Sequence, residues 1–203
     1  MEDVEDIVVR LFRESNQVKE AFLNDNLSKL VKVVDAVTAA LKGGKKVLLF
    51  GNGGSAADAQ HIAAEFVNRF QIERPPLPAI ALTTDTSIIT SIANDYDFSE
   101  VFDKQIRAIG QPGDIAWGFS TSGSSPNVVK ALETAKKMGM VTVGLTGKDG
   151  GRIAAIVDVA LNVPSGSVPR IQEAHITVGH VICEMVEFRL FKRPDAKQSG
   201  RNG

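Results

Sequence analysis

The chain has 203 residues, 43% of them hydrophobic, and a formal net charge of −1 with both signs interspersed. That is enough for one sizeable core, and the charge balance gives no footing for nucleic acid or an anionic membrane surface. No apolar run approaches the ~20 residues of a membrane span, the acidic start MEDVEDIVVR lacks a secretory pattern, and the single cysteine, Cys183, fits a reducing cytoplasm.

Residues 3–23 set Val4, Ile7, Val8, Leu11, Phe12, Val18 and Phe22 mostly at helical spacing. Asn24-Asp25-Asn26 then interrupts the pattern and offers a cap for a second helix over 27–42, expected to bury Leu30, Val31, Val34, Val37 and Leu41 and to stop at Gly43-Gly44. The pair, within residues 1–43, reads as helices packed on the domain or placed at a subunit interface.

The apolar run 47–50 predicts the first strand, and it breaks into Gly51-Asn52-Gly53-Gly54-Ser55. A helix to about residue 70 follows, with Ser55 and Asp58 at capping-box spacing. Residues 78–82 read as a second strand, 83–94 and 98–109 as short helices with Asn94-Asp95 between them, and 115–119 as a third strand. The loop Ser120-Thr121-Ser122-Gly123-Ser124-Ser125 leads into Pro126, a helix start with Ser125 as N-cap and proline at the first position. A fourth strand over 141–145, the glycine-rich loop 147–151, a fifth strand over 157–163 and a long helix over 170–191 complete residues 44–192. The polar stretch 193–203 reads as a disordered tail. Alternating buried strands and helices predict an α/β/α sandwich on an open, mostly parallel sheet.

Two strand–loop–helix junctions, Gly51–Ser55 and Ser120–Ser125, are rich in Gly, Ser and Thr. Free N–H groups of a first helical turn point at a ligand there, and hydroxyls can wrap phosphate oxygens. Turn formation alone explains either loop; two capped junctions favour a phosphate or sugar ligand. Gly51-x-Gly53-x-x-Ala56 also meets the loose dinucleotide fingerprint, but the acidic residue expected ~20 positions on is badly placed in Glu73 and Asp85. On the helix after the first loop, His61 and Glu65 are four residues apart, ~400° of rotation, and share a face. Gln172, His175 and His180 share the last helix, where Gln172 and His180 differ by ~80° of net rotation. Imidazole, carboxylate and amide oxygen suit a divalent ion such as zinc, and a histidine–glutamate acid–base pair without metal fits the same spacing.

The ordered segments GNGGSAADAQH, SIANDYDF, FSTSGSSPNVVKA, LTGKDGG and RIQEAHITVGH resemble the phosphoheptose isomerases, members of the sugar-isomerase (SIS) family of phosphosugar-binding domains. The resemblance runs from the N-terminal helices to Phe191. It implies a three-layer α/β/α sandwich with a five-stranded parallel sheet, a cytoplasmic homotetramer, and conversion of sedoheptulose 7-phosphate to D-glycero-D-manno-heptose 7-phosphate for lipopolysaccharide heptose. Carried over by motif, His61, Glu65, Gln172 and His180 match zinc ligands, one ion per subunit. Asn52, Gly53, Gly54, Glu65, Asn94, Asp95, Ser120, Thr121, Ser122, Ser125 and Gln172 match substrate contacts, with 120–125 at the phosphate. Glu65 and His180 are the implied base and acid of an enediol(ate) mechanism, and His175 is expected to be structural.

The position before Arg170-Ile171-Gln172-Glu173 is acidic in some members and is Pro169 here, so any role of that acid is absent or falls to a residue such as Asp95. Arg69 is a candidate for reaching phosphate or a neighbouring subunit. The alternatives are a non-catalytic SIS tetramer that binds the replication initiator protein, which lacks the Glu65/His180 pair, and a sugar-phosphate sensor without turnover.

Overall fold

The computed structural model describes residues 3–191, and the tail expected over 193–203 lies outside them. In chain order the elements are α1 (Val4–Lys42), β1 (Val47–Gly51), α2 (Gly54–Val67), β2 (Ala79–Ala81), α3 (Thr86–Asp95), a 3-10 turn (Phe98–Glu100), α4 (Asp103–Ile109), β3 (Ile115–Ser120), α5 (Pro126–Lys137), β4 (Val141–Gly147), α6 (Gly151–Ile156), β5 (Val159–Val163) and α7 (Val168–Phe191). The five strands form one parallel sheet in the order β2-β1-β3-β4-β5.

Every residue of β1 and β3 is buried, as a sheet covered on both faces requires. The two-residue period divides them between two cores. Val47, Leu49, Ile115, Trp117 and Phe119 pack with α1, α2 and α7, while Leu48, Phe50 and Ala116 pack with α4 and α5. Gly118 lets α5 approach closely: a β-carbon there would lie 2.9 Å from Val128 Cγ1 and 3.0 Å from Leu132 Cδ1. The chain leaves β1 toward β2 on one side and resumes at β3 on the other, so β1/β3 is the switch point where open α/β sheets bind ligands.

The expected pair of N-terminal helices is one helix of 39 residues. Asn26 does not cap a second helix. Its Nδ2 donates to Phe22 O (3.0 Å), one turn back, and to Asn162 O (3.1 Å) on β5, so tertiary contact carries the helix through its weak point. Leu30, Val34, Val37 and Leu41 are buried as expected, but Val31 is 43% exposed on the opposite face. The N-terminal half of α1 leaves Val4, Val8, Leu11 and Phe12 exposed. The short α6 starts at Gly151, the last residue of the expected loop, and fills 152–156, a stretch with no expected element; β5 begins at Val159 because Val157 caps α6.

Candidate active site

The two predicted loops stand side by side at the carboxyl edge of the sheet, since Gly51 of β1 pairs with Phe119 of β3. Gly51 has no room for a side chain, because a β-carbon would meet Ser55 Cβ at 2.9 Å and Phe119 O at 3.0 Å. Gly53, at φ +55°, caps α2 in a conformation that favours glycine. The expected Ser55–Asp58 capping box does not form: the helix starts one residue before Ser55, and Ser55 is buried. Asp58 Oδ2 is buried without a hydrogen-bond partner; burial raises its pKa and the nearby His61 opposes that rise.

In the second loop Gly123, at φ +67°, turns the chain so that its N–H donates to Ser120 O (3.0 Å). Ser120 Oγ then lies 2.9 Å from Ser125 Oγ and 3.4 Å from Ser122 Oγ, so three hydroxyls converge. Ser125 occupies the N-cap position of α5, as read from sequence, but its hydroxyl faces Ser120 and makes no cap bond. The loops are joined by a reciprocal amide pair, Asn52 Nδ2 to Asn127 Oδ1 (2.9 Å) and Asn127 Nδ2 to Asn52 Oδ1 (2.8 Å). A cavity of about 270 Å³ opens between them, lined by Asn52, Asp97, Phe98, Ser99, Ser125, Pro126 and Asn127. Hydrogen bonds from Ser99 hold the Asp97 carboxyl below the usual range, leaving it ionised to accept from hydroxyls.

Along α2 from this loop, His61 and Glu65 meet His180 of α7. His61 Nε2 is 3.0 Å from Glu65 Oε1 and 3.2 Å from His180 Nε2. Among the described residues this is the one group of three or more His, Cys, Asp or Glu side chains whose ligand atoms lie within 4.8 Å of one another. Phe70 stacks on the other side of His180, with ring centroids 5.6 Å apart and planes 25° apart. A single proton on His61 Nε2 cannot serve both neighbours: donating to Glu65 leaves His180 Nε2 facing it without a lone pair to donate into. A shared cation removes the conflict. Tetrahedral zinc with bonds of ~2.0–2.1 Å has ligand–ligand edges of ~3.3 Å, close to the two spacings found. The donor set therefore fits the metal.

Gln172, in the second turn of α7, lies against the start of α2, where a β-carbon on Gly54 would come 2.5 Å from its Nε2. Asn94 and Asp95 are not drawn into the cavity: they are exposed at the end of α3, which buries no residue, and Asn94 Nδ2 bonds Asp95 Oδ1 (2.8 Å). Arg69 is exposed, 3.7 Å from Glu73. Pro169 sits in the first turn of α7, where the missing N–H has no helical partner to lose. His175 is fully buried, its Nε2–H donating to Thr146 O (3.1 Å), and burial lowers its pKa to about 4, so it is a neutral structural residue. Burial also pushes the Cys183 thiol well up, out of the reactive range. Asp97, Ser99 and Asn127 were not singled out from sequence, and only the asparagine beside a hydroxyl loop carried any signal of its own.

Residues 10–147 match the SIS domain model. The phosphoheptose isomerase of Thermodesulfovibrio yellowstonii is 54% identical over 97% of this chain and 98% of its own length. Two solved structures share the fold closely: a phosphoheptose isomerase from Neisseria gonorrhoeae (43% identity, TM-score 0.86, 91% of this chain and 99% of that one) and one from Francisella tularensis (38%, 0.87, 91% and 98%).

Proposed function

Because this chain belongs to the SIS-domain family and, within it, to the phosphoheptose isomerases, we infer that it interconverts sedoheptulose 7-phosphate and D-glycero-D-manno-heptose 7-phosphate. The observation that carries the reading is the convergence of His180 of α7 with His61 and Glu65 of α2, the helix that begins at the ligand loop. From Gly54 to His61 is seven residues, ~10 Å along α2, a span suited to an extended sugar with its phosphate held at Ser120, Ser122 and Ser125. Asn52, Ser99, Ser125 and Asn127 supply polar lining to the cavity between the loops.

The chemistry is a proton shift. Glu65 takes a proton from C1, beside the C2 ketone, and His180 supplies one to the ketone oxygen, giving an enediol. Return of a proton to C2 and loss of the O1 proton leave the aldose, with no net change in atoms. His61, Glu65 and His180 would hold a divalent ion, with zinc favoured by the imidazole-rich set, and Gln172 would join them by turning its amide from Gly54 toward His61. Such an ion supplies polarisation of the carbonyl and charge stabilisation of the oxyanion. Glu65 can combine the two roles because a carboxylate has two oxygens, of which Oε1 is the one at His61.

Assembly as a homotetramer in the cytoplasm belongs to the same reading. It is supported by the apolar side chains that α1 and α7 leave exposed, among them Phe12 (72%), Leu27 (56%) and Phe188 (49%). No helix among the described residues is long and apolar enough to cross a membrane.

The test is incubation with sedoheptulose 7-phosphate and separation of ketose from aldose phosphate, with and without a chelator. Aldose formed by the wild type, and a loss of about 10²–10⁴-fold in folded Glu65→Gln and His180→Gln proteins, is expected. No conversion by zinc-supplemented wild type overturns the isomerase and leaves the binding-protein alternative. Near wild-type rates in both variants overturn the residue assignment alone.

A further inference from the structure

The catalytic reading requires Glu65 and His61 on α2 to keep a fixed distance from His180 on α7, yet these three side chains are partly exposed and do not themselves lock the two helices. A buried ion pair lies at the far end of the same seam. Arg74 and Glu187 have side chains 2% and 3% exposed, with Arg74 Nε donating to Glu187 Oε1 at 2.9 Å.

Each partner reaches toward a catalytic residue. Arg74 Nη2 donates to the carbonyl of Glu65 itself (2.8 Å), and Nη1 donates to Phe66 O (2.9 Å) and Pro75 O (3.1 Å). The guanidinium thus caps the last carbonyls of α2 with its fixed fork of donors, and its positive charge suits the helix C-terminus. Glu187, on α7, accepts the N–H groups of Phe70 (3.2 Å), Gln71 (2.8 Å) and Ile72 (3.2 Å). Those bonds fix the segment that leaves α2 and carries the Phe70 ring stacked on His180. Burial alone would raise the Glu187 pKa, but the three backbone donors and Arg74 outweigh it and keep the carboxylate ionised.

We propose that Arg74 and Glu187 are positioning residues for the isomerase reaction: their ion pair ties the C-terminal end of α2 to α7 and thereby sets the distance between the His61–Glu65 pair and His180. The proposal rests on the isomerase reading. Neither residue touches the substrate cavity, so the loops that hold phosphate are independent of the pair.

A merely structural ion pair would change stability and leave the chemistry of the folded fraction alone. The two are separated by Glu187→Gln, which keeps an acceptor oxygen and loses the charge, measured well below its thermal transition. Expected is a kcat about 10–100-fold lower, in line with displacement of a reacting group by up to ~1 Å, and a KM within about twofold of wild type. The chain has three histidines, so their imidazole ¹H–¹⁵N resonances give a readout independent of turnover. The His61 and His180 signals move in E187Q, and that of His175, bonded to β4, stays in place. Should E187Q not fold, Arg74→Lys is read the same way, since lysine keeps the charge but loses the fork to Glu65 O and Phe66 O. Wild-type kcat per folded molecule, or unmoved His61 and His180 resonances, overturns the proposal. A wild type without isomerase activity would defeat the functional reading while leaving the resonance test able to decide the geometric one.

Discussion

Gly179 lies where α7 crosses α2, beside His180 in sequence and against Ile62, the neighbour of His61. Replacing it with alanine tests whether helix packing sets the reach between the two imidazoles. A β-carbon at Gly179 would stand 2.5 Å from Ile62 Cδ1 and 2.8 Å from Ile62 Cγ1, whereas carbons rest at ~3.5–4.0 Å. Ile62 is 0% exposed, so it has no solvent to turn into. Relief comes from an off-rotamer Ile62, about 0.5–1.5 kcal/mol, or from separation of the helices. Overpacking of this kind costs about 1–3 kcal/mol, and alanine's better helix propensity returns about 1 kcal/mol, leaving a net loss of up to about 2 kcal/mol. At roughly 2–4 °C per kcal/mol for a chain of this size, Tm falls by up to about 8 °C. The kinetic effect is larger in proportion, up to ~100-fold in kcat if the imidazoles part by ~1 Å. Calorimetry gives the first number and turnover of sedoheptulose 7-phosphate at a temperature where the variant is folded gives the second. Ile62→Val, which lacks Cδ1, restores part of both in the double variant. A Gly179→Ala protein with wild-type Tm and kcat would refute the packing argument.

Asn127→Ala removes both bonds of the amide pair and leaves Asn52 unanchored at the cavity, so kcat/KM for the sugar phosphate falls about tenfold and stability by about 1–3 kcal/mol, two hydrogen bonds' worth; an unchanged kcat/KM contradicts the role given to the pair. His175 has a folded pKa of about 4 against an ordinary 6.5. The neutral ring is the form the fold prefers, so its contribution is complete above pH ~6.5 and is lost as pH falls through about 4, a total of roughly 3 kcal/mol. Urea unfolding at pH 7 and pH 4.5 shows the loss. His175→Gln, which keeps a donor for Thr146 O, has a shallower acid slope, and equal slopes for the two proteins would sink the assignment.

The parts of the fold that were legible are those written in short stretches. The apolar runs at 47–50 and 115–119, the glycines at 51–54 and the Ser125-Pro126 helix start each act within a few residues, and each element appears within a residue or so of its expected place. The i,i+4 spacing of His61 and Glu65 put them on one face, but the approach of His180, 119 residues from His61, is not itself a spacing: helix geometry offered the donors of the two helices as one set among alternatives, and the resemblance favoured it. Where sequence reasoning failed, a distant partner overrode a local signal. Asn26 looked like a cap because its bond to Asn162 O, 136 residues away, cannot be seen in the chain. The six residues of α6 are too few to show a period, and Ile153 N–H bonding Gly123 O (2.9 Å) in the Ser120–Ser125 loop fixes the segment. Asn94 and Asp95 carried a motif, yet α3 buries no residue, so nothing in the isolated chain presses them into the cavity.

The seam between α2 and α7 shows why the supporting structure was harder to read than the reacting groups. Gly179, Cys183 and Glu187 stand at i, i+4 and i+8 and form one stripe on α7. Taken singly, each has an ordinary reading: a glycine weakens a helix, a lone cysteine fills a core, and a glutamate near a helix end faces water. Their order gives them a joint meaning. Gly179 lets α2 come close enough for Ile62 to fill the space above it, and the acid then meets Arg74 where α2 has ended and its carbonyls need donors. A larger residue at Gly179 would move α2 outward, and the Arg74–Glu187 contact, buried and unable to exchange with water, would resist that movement. Opposed constraints of this kind fix a distance more tightly than either alone, which is what a proton-transfer pair carried on two separate helices requires.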